Sequence, residues 1–123
     1  MTEDEGHLRK FQKELNAGIV ALVLLATLAE AREPLYGYQI AKQLQQDEVE
    51  NAVMKQGTLY PVLRSLSASG LLDSYVEPSV SGPPRRYYTI TAAGRAVLGQ
   101  WKDAWVTTRD FVNTILKDKG QPS

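Results

Sequence analysis

The residues of this chain that could do chemistry are cations, hydroxyls and phenols rather than nucleophiles or metal ligands. Arg85 and Arg86 form the only adjacent arginine pair, directly after PSVSGPP at 78–84, a segment too rich in proline and glycine for regular structure. Upstream, QGTLYPVLRSL at 56–66 sets Gln56, Gly57, Thr58, Tyr60, Pro61 and Arg64 around an apolar framework of Leu59, Val62, Leu63 and Leu66. The i, i+3, i+4, i+7 spacing of that framework predicts an amphipathic helix, capped by Thr58 and stopped by Gly70. Hydroxyl, phenol and guanidinium then lie on or near its open side, where they suit phosphate and base-edge contacts. The plainer reading makes Tyr60 a core aromatic, Arg64 a solvated charge and the arginine pair an ordinary strand edge.

Catalysis lacks its parts. His7 is the single histidine, in a charged arm, and there is no cysteine, so zinc chemistry and thiolate catalysis have almost nothing to use. Asp47, Glu48 and Glu50 read as a solvated connection, and no glycine-rich phosphate loop occurs. No enzymatic activity, metal or cofactor is expected.

These candidate contacts need elements to position them. A mostly charged arm at 1–14, or the start of the first helix, precedes a strongly apolar helix at about 15–31 that Pro34 ends. A second helix begins near Tyr36 or Gly37, runs through Ile40, Ala41 and Leu44, and fades into the polar stretch 45–51. The helix carrying Thr58 is third. The pattern then changes to strand at 71–77 and 85–91, the latter RRYYTIT, joined by the proline-rich tip as a protruding hairpin. Three helices followed by a hairpin give an α+β winged helix-turn-helix over 15–91. In that geometry the third helix enters the major groove of DNA and the wing lies over the neighbouring backbone or minor groove.

Thr91 is a good cap for a last, long helix over 92–118, with a disordered tail expected at 119–123. Leu98, Trp101, Trp105, Thr108, Val112 and Ile115 recur in steps of three and four, with Phe111 and Leu116 beside them. That seam is longer than a core of this size can cover, so its expected cover is the same helix of a second subunit. Trp101 and Trp105 either pack this dimer or line a flat slot able to sandwich a planar aromatic effector.

Three separated blocks, YGYQIA at 36–41, GTLYPVLRSLSASGLL at 57–72 and RRYYTITAAG at 85–94, closely resemble the PadR family of bacterial transcriptional regulators. The lengths resemble its short subgroup, in which one C-terminal helix dimerises. The resemblance implies a winged helix-turn-helix homodimer, usually a repressor on a palindromic operator and in several cases released by a small molecule. It implies that Tyr36, Thr58, Tyr60 and Pro61 contact DNA or orient the helix that does. Arg85, Arg86 and Tyr87 match the basic start of the family's second wing strand. Trp105, eleven residues after Gly94, is similar in position to a tryptophan lining a drug-binding dimer pocket in some short members. The sequence departs from the family in charge, with Ser65, Ser67 and Ser69 where members often carry lysine.

Length, composition and charge are consistent with this. At 123 residues, 43% hydrophobic and 23% charged, the chain suits one folded domain. Net charge is zero, which by itself counts against nucleic acid and leaves a winged helix used only for protein contacts as the rival. The charge is segregated, however. Residues 55–95 hold five basic side chains against two acidic, and residues 30–50 the reverse. The apolar stretch 19–28 is about half a bilayer span and the acidic N-terminus is unlike a secretory signal, so a cytoplasmic location is expected.

Overall fold

The computed structural model describes residues 3–47 and 56–117, so the expected tail at 119–123 and most of the acidic run at 45–51 lie outside it. Helix α1 (Glu3–Glu30) starts well before the expected position near Leu15. Its first turn carries Glu3, Asp4 and Glu5, whose charge complements the positive end of the helix dipole. The charged residues after them are good helix formers, so residues 3–14 are the start of the first helix, the second of the two alternatives, rather than an arm. Only the second half of α1 enters the core, through Val20, Leu24, Leu25 and Leu28. At its far end Arg95 donates to the carbonyl of Ala29 at 3.3 Å, occupying one of the acceptors that a helix terminus leaves open. Helix α1 is long and apolar enough to cross a membrane by length and composition. Those four leucine and valine side chains instead make it the central helix of a folded core.

A two-residue strand, β1 (Leu35–Tyr36), leads directly into α2 (Gly37–Asp47). The Gln39 side chain accepts from the Tyr36 N–H at 3.0 Å, half of a capping box that fixes where α2 begins. Helix α2 buries Ile40, Ala41 and Leu44. Helix α3 (Gln56–Ala68) begins at Gln56, so Thr58 sits in its first turn rather than ahead of it and is not its cap. The helix ends in a Schellman turn, in which Gly70 takes φ 81° while Leu71 N–H reaches Leu66 O and Gly70 N–H reaches Ser67 O, both at 3.0 Å.

Strands β2 (Leu72–Glu77) and β3 (Arg85–Ile90) form the hairpin, and β1 pairs on the other side of β3, giving the antiparallel order β1-β3-β2. Register runs from Leu72 opposite Ile90 to Glu77 opposite Arg85, with Tyr36 opposite Tyr87. The short β1 was not legible as a strand, since two residues show no alternation. One sheet face packs Leu72 and Tyr88 into the core beside Leu59, Leu63 and Leu66 of α3.

Helix α4 (Ala92–Leu116) follows β3 with only Thr91 between them, and the Thr91 hydroxyl caps it by accepting from Gly94 N–H at 3.0 Å. Its first turns run inward. Leu98, expected on an intersubunit seam, is 5% exposed and belongs to the chain's own core, so that assignment is corrected. The reason is that one apolar seam on α4 serves two partners in succession: the domain core up to Trp101, and open surface beyond it.

Candidate nucleic-acid interface

Helix α3, the wing formed by β2 and β3, and the corner where β1 enters α2 converge around an open cleft of about 380 Å³. Arg64 lines it from α3, Pro83, Pro84, Arg85 and Arg86 from the wing, and Tyr36, Gly37 and Tyr38 from the corner. Gly57, Thr58 and Pro61 are exposed on the first turns of α3 and Arg64 farther along it, as a helix directed into a groove requires. Gln56 belongs to the helix, but its side chain lies outside the described residues.

Tyr60 has a double role. It is half-buried and packs against the core, while its ring lies so close to Gly37 that a Cβ at 37 would collide with it. The glycine of the YGY motif thus lets α2 and α3 approach at the angle the helix-turn-helix needs. Tyr88, also lining the cleft, is buried. Burial pushes its phenol above the ordinary value, Arg86 and Arg64 pull it back, and Tyr60 adds to the rise. The two arginines of different elements therefore face a common site.

The sheet separates the arginine pair. Adjacent strand residues point to opposite faces, so Arg86 shares the face of Tyr88 and Arg85 that of Tyr87. Arg86 donates from Nη1 to Ser74 Oγ at 3.0 Å. Arg85 lies with its guanidinium 4.5 Å from the centre of the Tyr36 ring. Tyr87 is held between Tyr36, edge-on at 5.4 Å, and Tyr75, stacked at 5.6 Å. Its ring is therefore half-buried support for the wing. Among the described residues no carboxylate forms an ion pair with either wing arginine, even though Glu77 stands opposite Arg85 in register.

Sequence reasoning missed Tyr38, Ser74, Tyr75 and Tyr88. Tyr38 is exposed, with Lys42 Nζ 5.9 Å from its ring centre. Strict alternation along RRYYTI would have assigned Tyr88 to the core and Tyr87 to the outer face. The partners Ser74 and Tyr75 follow only from the register.

A second concavity, a groove of about 400 Å³, lies between α1 and α4. Leu15, Gly18, Ile19, Ala21 and Leu22 face Trp101, Ala104, Trp105 and Thr108 across it, and none of these is charged. Trp101 is half-buried against the core and Trp105 is 40% exposed. Beyond the groove, Phe111, Val112, Ile115 and Leu116 on α4 and Leu8 and Phe11 on α1 are all exposed.

A helix-turn-helix whose third helix is flanked by a β-ribbon wing defines a DNA-binding regulator of the winged class. The profile of the Transcriptional regulator PadR-like family matches residues 24–100, and the chain belongs to that family. A PadR family transcriptional regulator from Eggerthella lenta is similar at 31% identity over 94% of this chain and 96% of that one, with TM-score 0.77. A transcriptional regulator from Clostridium thermocellum is similar at 30% identity over 85% of this chain and 99% of that one, with TM-score 0.75. An uncharacterised protein of Lysinibacillus sphaericus is 26% identical over 67% of this chain and 75% of its own length. The chain is accordingly a transcriptional regulator and not an enzyme.

Proposed function

We propose that this regulator is a cytoplasmic repressor that binds a palindromic operator as a homodimer. The observation that carries this reading is the convergence of Arg64 on α3 with Arg85 and Arg86 on the wing around one open cleft, beside the exposed first turn of α3 that bears Thr58. An α-helix fits the major groove and cations beside it neutralise flanking phosphates. With zero net charge, affinity then comes from placing two such faces on two half-sites more than from overall attraction. Selection of bound fragments from a random DNA library tests this. Two inverted half-sites about one or more helical turns apart, bound with salt-dependent affinity, are expected. Half-sites in no fixed relation would count against the dimer, and failure to enrich any sequence would favour a protein-contact module.

The second subunit is supported by exposed apolar side chains on α4, namely Trp105, Phe111, Val112, Ile115 and Leu116, with Thr108 on the same helix. Leu8, Phe11 and Leu15 on the first half of α1 extend this surface, so both helices supply the interface. The groove bearing Trp101 and Trp105 is the proposed site for a planar aromatic effector, its uncharged lining suiting a flat apolar molecule. Such a ligand would regulate by favouring one spacing of the two α3 helices. Tryptophan fluorescence titrated with planar cationic dyes should shift or quench while the dimer persists; unchanged emission would remove the effector site.

A further inference from the structure

We infer that Tyr36 is a positioning residue for Arg85: its ring holds the wing guanidinium in a DNA-ready orientation and registers the wing against the helix-turn-helix. This rests on the proposed DNA contact of the wing. The two residues come from different parts of the fold, Tyr36 from the corner that opens α2 and Arg85 from the first position of β3.

Tyr36 is a rigid platform. Its backbone pairs with Tyr87 across the sheet, its N–H is held by Gln39 at 3.0 Å, and its ring abuts Tyr87 edge-on. Arg85, by contrast, is exposed at the foot of a seven-residue tip, with no carboxylate bound to it among the described residues. A free arginine side chain loses considerable rotamer freedom when it grips a phosphate. Its seat over the Tyr36 ring, 4.5 Å from the ring centre, removes part of that loss in advance. A guanidinium that meets an aromatic ring through its flat face keeps its N–H edges for a phosphate oxygen pair. Lysine would keep the charge and lose the flat face. Arg86 has a different holder, the Ser74 hydroxyl on the other sheet face, so the adjacent arginines are set independently of each other.

The test uses the full chain and a duplex recovered from a random-sequence library on the wild-type protein, titrated at several salt concentrations. R85A should lower the salt slope by about one, as loss of one phosphate contact does. Y36L should weaken binding about two- to fivefold with the slope unchanged, the range of an exposed cation–π contact. The conservative Y36F, which keeps the ring, should restore binding, and Y36L/R85A should bind like R85A alone. In the unbound protein, ring-current shifts of the Arg85 side-chain protons should vanish in Y36L and persist in Y36F. Y36F as weak as Y36L would place the phenol on DNA directly and overturn the proposal. Independent losses in the double variant, or absent ring-current shifts in the wild type, would overturn it as well. If Y36L fails to fold, R85K decides: it should match the predicted Y36L loss at unchanged slope, and wild-type binding by R85K is a negative result. R86A and T58A report on the DNA reading itself. If they weaken binding while R85A is silent, only the present inference falls; if all three are silent, the interface falls with it.

Discussion

The Thr91 hydroxyl donates to the carbonyl of Gly70 at 2.8 Å and accepts from Gly94 N–H at 3.0 Å. One side chain thereby joins the end of α3, the end of the wing and the start of α4, and the Thr91 N–H adds a bond to Leu71 O at 3.1 Å. Thr91→Val keeps the shape and removes the hydroxyl. It should cost about 1–2 kcal/mol by urea unfolding, the sum of a lost cap and a lost carbonyl partner.

Glycines on α4 should respond with opposite signs. A Cβ at Gly94 would strike the Leu71 carbonyl and meet Ile90 at 2.7 Å, whereas one at exposed Gly99 meets nothing within 4 Å. Gly94→Ala should destabilise by about 2 kcal/mol or more, because a backbone carbonyl cannot step aside. Gly99→Ala should stabilise by up to about 1 kcal/mol through helix propensity. Paired thermal melts at matched protein concentration check both.

A charged residue on the apolar surfaces of α1 and α4 should have two distinct consequences depending on position. Leu98→Asp buries a carboxylate in the core and should abolish cooperative folding. Ile115→Asp and Phe11→Asp alter exposed sites and should leave the circular dichroism spectrum intact while sedimentation shows monomers. A dimer that survives both exposed substitutions would move the interface elsewhere.

Arg64 and Arg95 belong to the same basic segment but should differ on DNA. Arg64 opens into the cleft, while Arg95 is turned to the end of α1. R64A should reduce the salt slope of binding by about one, and R95A should leave it unchanged and lower the melting temperature instead.

Burial, above all, holds the Tyr88 phenol above its ordinary value of 10.0 in the folded chain. The fold thus favours the neutral phenol. Its stabilising contribution is complete below pH 10 and is lost as the pH rises through the folded value. Stability followed by urea titration from pH 10 upward should fall less steeply in Y88F than in the wild type.

Much of this fold could be read before any coordinates. Proline and glycine marked where α1 and α3 stop, Thr91 marked where α4 starts, and RRYYTI announced a strand, because each is a local effect of backbone geometry. The remainder depended on contacts between distant segments. Neither β1 nor the Arg95–Ala29 bond has a local signature, so Arg95 was counted toward a basic face to which it does not turn. Leu98 and Ile115 obey the same spacing, and only the position of α1 separates core from open surface. For the candidate interface, residue types pointed to Thr58, Arg64, Arg85 and Arg86 and the family resemblance to Tyr36, but the places of Tyr36 beside Arg85 and of Ser74 beside Arg86 required the strand register.

The opposed faces of Arg85 and Arg86 also determine where the chain tolerates insertions and deletions. Residues may be gained or lost between Glu77 and Arg85 without disturbing either arginine, because the Tyr75–Tyr87 pairing fixes the strands below the tip. A single deletion between Arg86 and Tyr88 would exchange the two faces and leave each guanidinium beside the other's holder. Length variation among natural variants of this regulator should therefore be confined to 78–84.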